Sequence, residues 1–71
     1  MKLHYYPETD SLYIELAAGP GVEVRMIAEG LNADLDADGR VVGFDIEHAS
    51  TQLDLSHLET VSLPHMRLRA A

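Results

Sequence analysis

The sequence contains no cysteine, and only five of its 71 residues are lysine or arginine. The lack of cysteine excludes disulfides, thiolate metal sites and a cysteine nucleophile. No apolar run approaches the roughly 20 residues that a membrane span requires. Twelve acidic residues give a net charge of −7. A surface with this much negative charge repels phosphate backbones and anionic lipids. We therefore expect no nucleic-acid and no membrane partner.

The chain is long enough for one small domain only. A domain of this size buries about 60% of the surface that its unfolded chain exposes, so its core is marginal. Without disulfides, self-association is the usual additional source of stability for such a domain. The first residues lack the apolar stretch of a secretory signal. Together with the lack of cysteine, this predicts a cytoplasmic protein.

Five short segments alternate apolar with polar residues, which is the period-2 pattern of half-buried strands. They lie at 3–5, 12–16, 22–26, 31–35 and 42–46. Short turn sequences at 7–10, 29–30 and 36–40 indicate hairpins between consecutive strands. The sequence therefore predicts an α+β, mostly β fold: a small antiparallel meander of about five strands with a short C-terminal helix.

The helix is predicted over 54–60. Asp54 is suited to be its N-cap, and Leu55, Leu58 and Val61 follow at helical spacing. We expect one β-rich domain over 1–63. Residues 1–60 hold three basic and all twelve acidic residues, whereas 61–71 add two arginines. The segment 64–71 is therefore predicted to be a basic tail, which frays or folds back loosely.

The alternation divides the strand residues between two faces. The predicted inward set is Leu3, Tyr5, Leu12, Ile14, Leu16, Val22, Val24, Met26, Leu31, Leu35, Val42, Phe44 and Ile46. The opposite face would carry the apolar or aromatic residues Tyr6, Tyr13, Ile27 and Val41. Exposed apolar area beside unpaired edge strands predicts a homodimer. Alternatively, these are isolated surface residues.

One acidic segment is a candidate metal site. Asp34, Asp36 and Asp38, followed by Gly39, match the opening of a calcium-binding loop, and Asp45 stands at its twelfth position. That position normally holds a glutamate, and the loop normally joins two helices, whereas strands flank it here. A hairpin turn with solvated acids is the preferred interpretation. Weak binding of a divalent cation is the alternative.

Nothing in the sequence indicates catalysis or a cofactor. None of the serines lies in a G-x-S-x-G elbow, and the glycines form no phosphate-binding loop. A chain of this size offers little pocket volume unless a dimer creates it. We therefore predict a protein that is not an enzyme and binds no cofactor. A small enzyme with a site at a dimer interface ranks last among the hypotheses.

Two segments resemble a bacterial family of unknown function. Residues 5–16, YYPETDSLYIEL, resemble its opening Y-x-P-E-x-D-x-L-Y-I-x-L, and residues 36–50, DADGRVVGFDIEHAS, resemble its D-x-D-G-x-V-V-G-[IF]-[ED]-I-x-x-A-S. The resemblance to this family, domain of unknown function 2283, extends from residue 3 to about 58. One departure is His48, where relatives more often carry an apolar residue.

The resemblance implies a small sheet with a C-terminal helix and no established activity. Some relatives resemble antitoxins, which implies an acidic protein that masks a basic toxin. The net charge would steer such a cationic partner. The leading hypothesis is thus a homodimeric, non-catalytic interaction module with a basic protein as its partner.

Overall fold

A computed structural model describes residues 1–64. Its elements, in chain order, are β1 (Lys2–Tyr6), β2 (Ser11–Glu15), β3 (Glu23–Ala28), β4 (Leu31–Leu35), β5 (Val41–Ile46) and α1 (Ala49–Gln52). The α+β, mostly β prediction is confirmed, since five strands form one antiparallel sheet and a single short helix follows them. Within residues 1–64 no helix is long and apolar enough to cross a bilayer. The predicted tail, apart from Pro64, lies outside the described residues.

The order of strands across the sheet is β1-β2-β5-β4-β3. The three predicted hairpins are present, and both Gly30 and Gly39 adopt the positive φ that their turns require. The meander is interrupted once, because β2 pairs with β5 and not with β3. The link over 16–22 crosses three strand spacings, about 14 Å. Seven extended residues can span up to about 23 Å, so the link is long enough.

The pairing register assigns the side chains to two faces. One cross-sheet row consists of Leu3, Ile14, Phe44 and Ala33, and a second of Tyr5, Leu12, Ile46 and Leu31. We call the face with these rows the apolar face. The other, the polar face, carries His4, Tyr13, Asp45 and Asn32 in one row and Glu15, Gly43 and Asp34 in the next.

The prediction for β3 is wrong about which side chains point inward. Val24 pairs with Asp34 and Met26 with Asn32, which places both on the polar face. The register shifts between Met26 and Ala28 because Ile27 is an extra, bulged residue. A bulge of one residue turns the side chains beyond it to the other face. Counted from the β3–β4 turn, these are the residues from Met26 back to Glu23. An uninterrupted hairpin would have placed Val24 and Met26 on the apolar face, as predicted.

The helix is also displaced from its predicted position. Residues 54–60 form no helix, and α1 occupies Ala49–Gln52 instead. The Asp54 carboxylate accepts hydrogen bonds from the backbone N–H (3.0 Å) and hydroxyl of Ser56, as a cap would, but only a local turn results. Leu55, Leu58 and Val61, whose spacing suggested the helix, are all exposed, so no packing offsets the cost of helix nucleation in this segment.

The core of the sheet is thin. In residues 1–64 the buried apolar side chains are Leu12, Ala33, Leu35, Val42 and Ala49. A single sheet needs a second layer to cover its apolar face. Here α1 and the segment 53–58 lie opposite the β1 and β2 part of the face, with a groove between them, so much of the apolar face stays accessible.

Candidate functional site

A groove lies between the apolar face and the segment after α1. Its volume is about 730 Å³. The strands β1 and β2 contribute Leu3, Tyr5, Leu12 and Ile14, and the other wall contains Ser50, Leu53, Asp54, Leu55, His57 and Leu58. Leu3 is 47% exposed and Leu58 71% exposed. Because most of the lining is apolar, the groove offers a hydrophobic surface with a polar rim.

Two residues that line the groove, Tyr5 and Ser50, also belong to a hydrogen-bonded junction between the first hairpin and α1. Asp10 ends the turn after β1 with φ 52°, in the left-handed region that aspartate tolerates. Its carboxylate accepts hydrogen bonds from the Ser50 hydroxyl (2.7 Å), the Ser50 N–H (3.1 Å) and the Tyr5 hydroxyl (2.7 Å). Its carbonyl accepts the Ala49 N–H at 2.8 Å. Asp10 therefore caps α1 from a distance of 40 residues along the chain.

The same segment is tied to the second hairpin turn. The Glu47 N–H donates to the Gly30 carbonyl at 2.9 Å. His48 between the two ties is exposed and has φ 52°, so its ring needs no apolar packing here. Both hairpins at this end of the sheet are thus held to α1.

The junction shifts the pKa values of two of its side chains, Asp10 and Tyr5. Hydrogen bonds from the Ser50 hydroxyl, and then from Tyr5, lower the pKa of Asp10 below its ordinary value. The bond to this carboxylate raises the pKa of the Tyr5 hydroxyl. Because the folded pKa of Asp10 lies below its unfolded value, the junction stabilises the fold above about pH 3.8. That stabilisation is lost as the pH falls through the folded pKa.

Substituting Ser50→Ala is expected to raise the pKa of Asp10 towards 3.8, because its largest stabilising hydrogen bond is removed. Carboxyl ¹³C NMR titration of both proteins measures this shift. Asp54 is the internal control, because the nearby Ser56 lowers its pKa independently of Ser50. An Asp10 titration that is the same in both proteins would show that the junction does not form in solution.

On the polar face, Tyr13 lies across Gly43. The Tyr13 hydroxyl donates to the Asp34 carboxylate at 2.9 Å. A Cβ on Gly43 would overlap the end of the Tyr13 side chain and lie 3.1 Å from the Ile14 carbonyl oxygen. Glycine is thus required by close approach of a side chain, and the tyrosine joins β2 to β4 over the intervening β5.

The carboxylates near Tyr13 affect the titration of Tyr13 and of Asp45. The hydrogen bond to Asp34 raises the pKa of the Tyr13 hydroxyl. Burial raises the pKa of Asp45, and the negative charges of Glu47 and Asp34 raise it further. This surface is therefore acidic, half-buried and internally hydrogen-bonded.

Residues 2–50 match the family described as "Protein of unknown function (DUF2283)". The chain belongs to this family. The matched part contains all five strands and both sides of the Asp10–Ser50 junction, and it ends before the groove wall at 53–58. No curated protein and no solved structure matches the chain significantly. The DUF2283 match thus supplies a fold family and no activity.

The structure does not bring the four candidate metal ligands of this DUF2283 chain together. Asp34 and Asp45 lie on the polar face, and Asp36 and Asp38 lie in the β4–β5 turn. One Asp36 carboxylate oxygen accepts the N–H groups of Asp38 and Arg40, both at 2.9 Å, as in an Asx turn. Within residues 1–64 no three histidine or acidic side chains are grouped as a metal site.

The four predicted interface residues are also dispersed. Tyr6 lies on the edge strand β1, Ile27 on the opposite edge β3, and Val41 at the start of β5, and all three are exposed. Tyr13 is half-buried over Gly43. Sequence reasoning missed the role of Ser50, because its partner Asp10 is 40 residues away and no local pattern signals the contact.

Proposed function

We propose that this DUF2283 protein is a non-catalytic interaction module that binds a small basic protein in an antitoxin-like manner. The observation that carries the proposal is the open apolar groove beside β1 and β2. The partner is expected to place an apolar segment in the groove and basic residues around it.

The groove supports the proposal because its apolar residues are left uncovered. Leu3 and Tyr5 are each nearly half exposed, and Leu58 on the facing wall is 71% exposed. An exposed apolar patch with a polar rim is typical of protein–protein contact sites. Transfer of these side chains out of water would favour association by about 25 cal/mol per Å² of apolar surface buried.

The charge of the protein supports a basic partner. The chain carries −7, and Asp54 lies in the groove wall. Long-range attraction between an acidic and a basic protein raises the association rate and weakens with added salt. The hydrogen bonds of Asp10 and Asp34 support the non-catalytic part of the proposal. Both carboxylates already accept hydrogen bonds from side chains of the protein itself.

Affinity capture of the tagged protein from its native host tests the proposal. We expect a basic protein in stoichiometric amount, identified by mass spectrometry and released at high salt. Leu58→Asp in the groove is expected to reduce its recovery about tenfold or more. Val61→Asp is the matched control, because Val61 is 75% exposed and does not line the groove.

Two results would contradict this function. One is the recovery of the tagged protein alone. The other is equal recovery of the partner with Leu58→Asp and Val61→Asp, since the groove would then not be the binding surface.

A further inference from the structure

The strand β3 forms one edge of the sheet and is exposed along its whole length. It contains no proline and no lysine, two residues that commonly protect edge strands from pairing. Val24 and Met26 are 68% and 72% exposed on the polar face. On the apolar face, Arg25 and Glu23 form an exposed ion pair at 2.8 Å. The unpaired backbone of β3 is therefore available to another strand.

We propose that β3 pairs antiparallel with β3 of a second copy, with Val24 of each copy opposite Val24 of the other. A two-fold axis perpendicular to the sheet relates the copies, so residues that face each other must lie on the same face. In such a symmetric pair, the numbers of any two facing residues add up to the same sum. From one possible register to the next, this sum changes by two. This restriction leaves few registers to compare.

The side chains favour this register over its neighbours. It places Glu23 of each copy opposite Arg25 of the other, so two new ion pairs form and join the existing pairs in a network of four charges. Moving one step in either direction places Arg25 opposite Arg25 or Glu23 opposite Glu23. Like charges directly opposite each other destabilise a strand pair, whereas opposite charges stabilise it.

The apolar residues are complementary in the same register. Val24 contacts its own counterpart, and Met26 lies opposite Val22, which precedes β3. These side chains of the two copies would form an apolar strip on the polar face, limited to the junction between the two sheets. The bulge at Ile27 produces this arrangement, because it turns Val24 and Met26 to that face and lies outside the five paired residues 22–26.

The other edge lacks this complementarity. The strand β1 carries the cation Lys2 and no acidic residue that could face it in a symmetric pair. Pro7 follows the strand directly and has no N–H to donate. The self-association is thus specific to β3, and it does not depend on the groove or on the basic partner.

Sedimentation analysis of the purified chain is the first test. We expect a species of twice the 7.8 kDa chain mass between about 1 μM and 1 mM. Val24→Lys places two ammonium groups at the two-fold axis and is expected to weaken the dimer at least about tenfold. Val61→Lys is the matched control and is expected to remain dimeric, because Val61 is similarly exposed and lies outside β3.

A charge-exchange experiment tests whether the β3 strands of the two copies face each other. Glu23→Arg leaves two arginines on β3, and Arg25→Glu leaves two glutamates, so each variant alone is expected to be mainly monomeric. Mixing them restores opposite charges at both positions, and native mass spectrometry of chains with different mass tags is expected to show the mixed dimer. This test also remains decisive if Val24→Lys does not fold.

The proposal is overturned by a wild-type protein that stays monomeric up to about 1 mM. Wild-type affinity in Val24→Lys would have the same consequence, as would a mixture of the two charge variants without mixed dimers. None of these results bears on the basic partner, which is tested by capture at the groove.

Discussion

Gly43→Ala is expected to lower the free energy of unfolding by about 1–3 kcal/mol. The added methyl group would overlap the end of the Tyr13 side chain and would press on the Ile14 carbonyl oxygen. Tyr13 would have to leave Gly43, which also breaks its hydrogen bond to Asp34. Urea denaturation followed by circular dichroism measures the change.

A double-mutant cycle separates this effect from backbone propensity. In the Tyr13→Ala background the methyl group has no ring to displace, so Gly43→Ala is expected to cost much less there. The 3.1 Å contact with the Ile14 carbonyl oxygen remains in that background, so a small loss is expected to persist. An equal loss in both backgrounds would mean that Tyr13 does not lie over Gly43 in solution.

Leu35→Ala is expected to have the larger effect, a loss of about 2–5 kcal/mol. Leu35 is one of five buried apolar side chains in the described residues, so little packing remains to compensate for the cavity. A domain of this size has a total stability of roughly 4–10 kcal/mol. The variant should therefore lose a large part of its stability, which urea denaturation would show as a lower midpoint. At the low end of this range it would be partly unfolded at room temperature, which amide dispersion in NMR spectra would reveal.

Leu58→Ala is the control with the same chemical change. Leu58 is exposed, and an exposed substitution usually changes stability by less than about 0.5 kcal/mol. Comparable losses in the two variants would show that Leu35 is not a core residue. If Leu58→Ala were the more destabilising variant, the segment 53–58 would pack more tightly on the sheet than the structure shows.

Local patterns in the sequence were sufficient to predict the strands and the tight turns. Alternation predicted all five strands, and glycine at positions 30 and 39 marked two tight turns. The helix was misplaced because Asp54 has the chemistry of a cap, while the true cap of α1 is Asp10 in a distant turn. The groove was not predicted, because it forms only where the chain after α1 returns to β1 and β2.

The sequence by itself determined the number of strands, the antiparallel hairpins and the acidity of the surface, since alternation, turn chemistry and charge are local properties. Only the tertiary structure decided that β5 lies beside β2 and that β3 presents Val24 and Met26 on the polar face. A period of two shows which residues share a face and does not show which face or which neighbour they meet. One bulged residue, Ile27, moves Val24 and Met26 from the apolar face to the polar face.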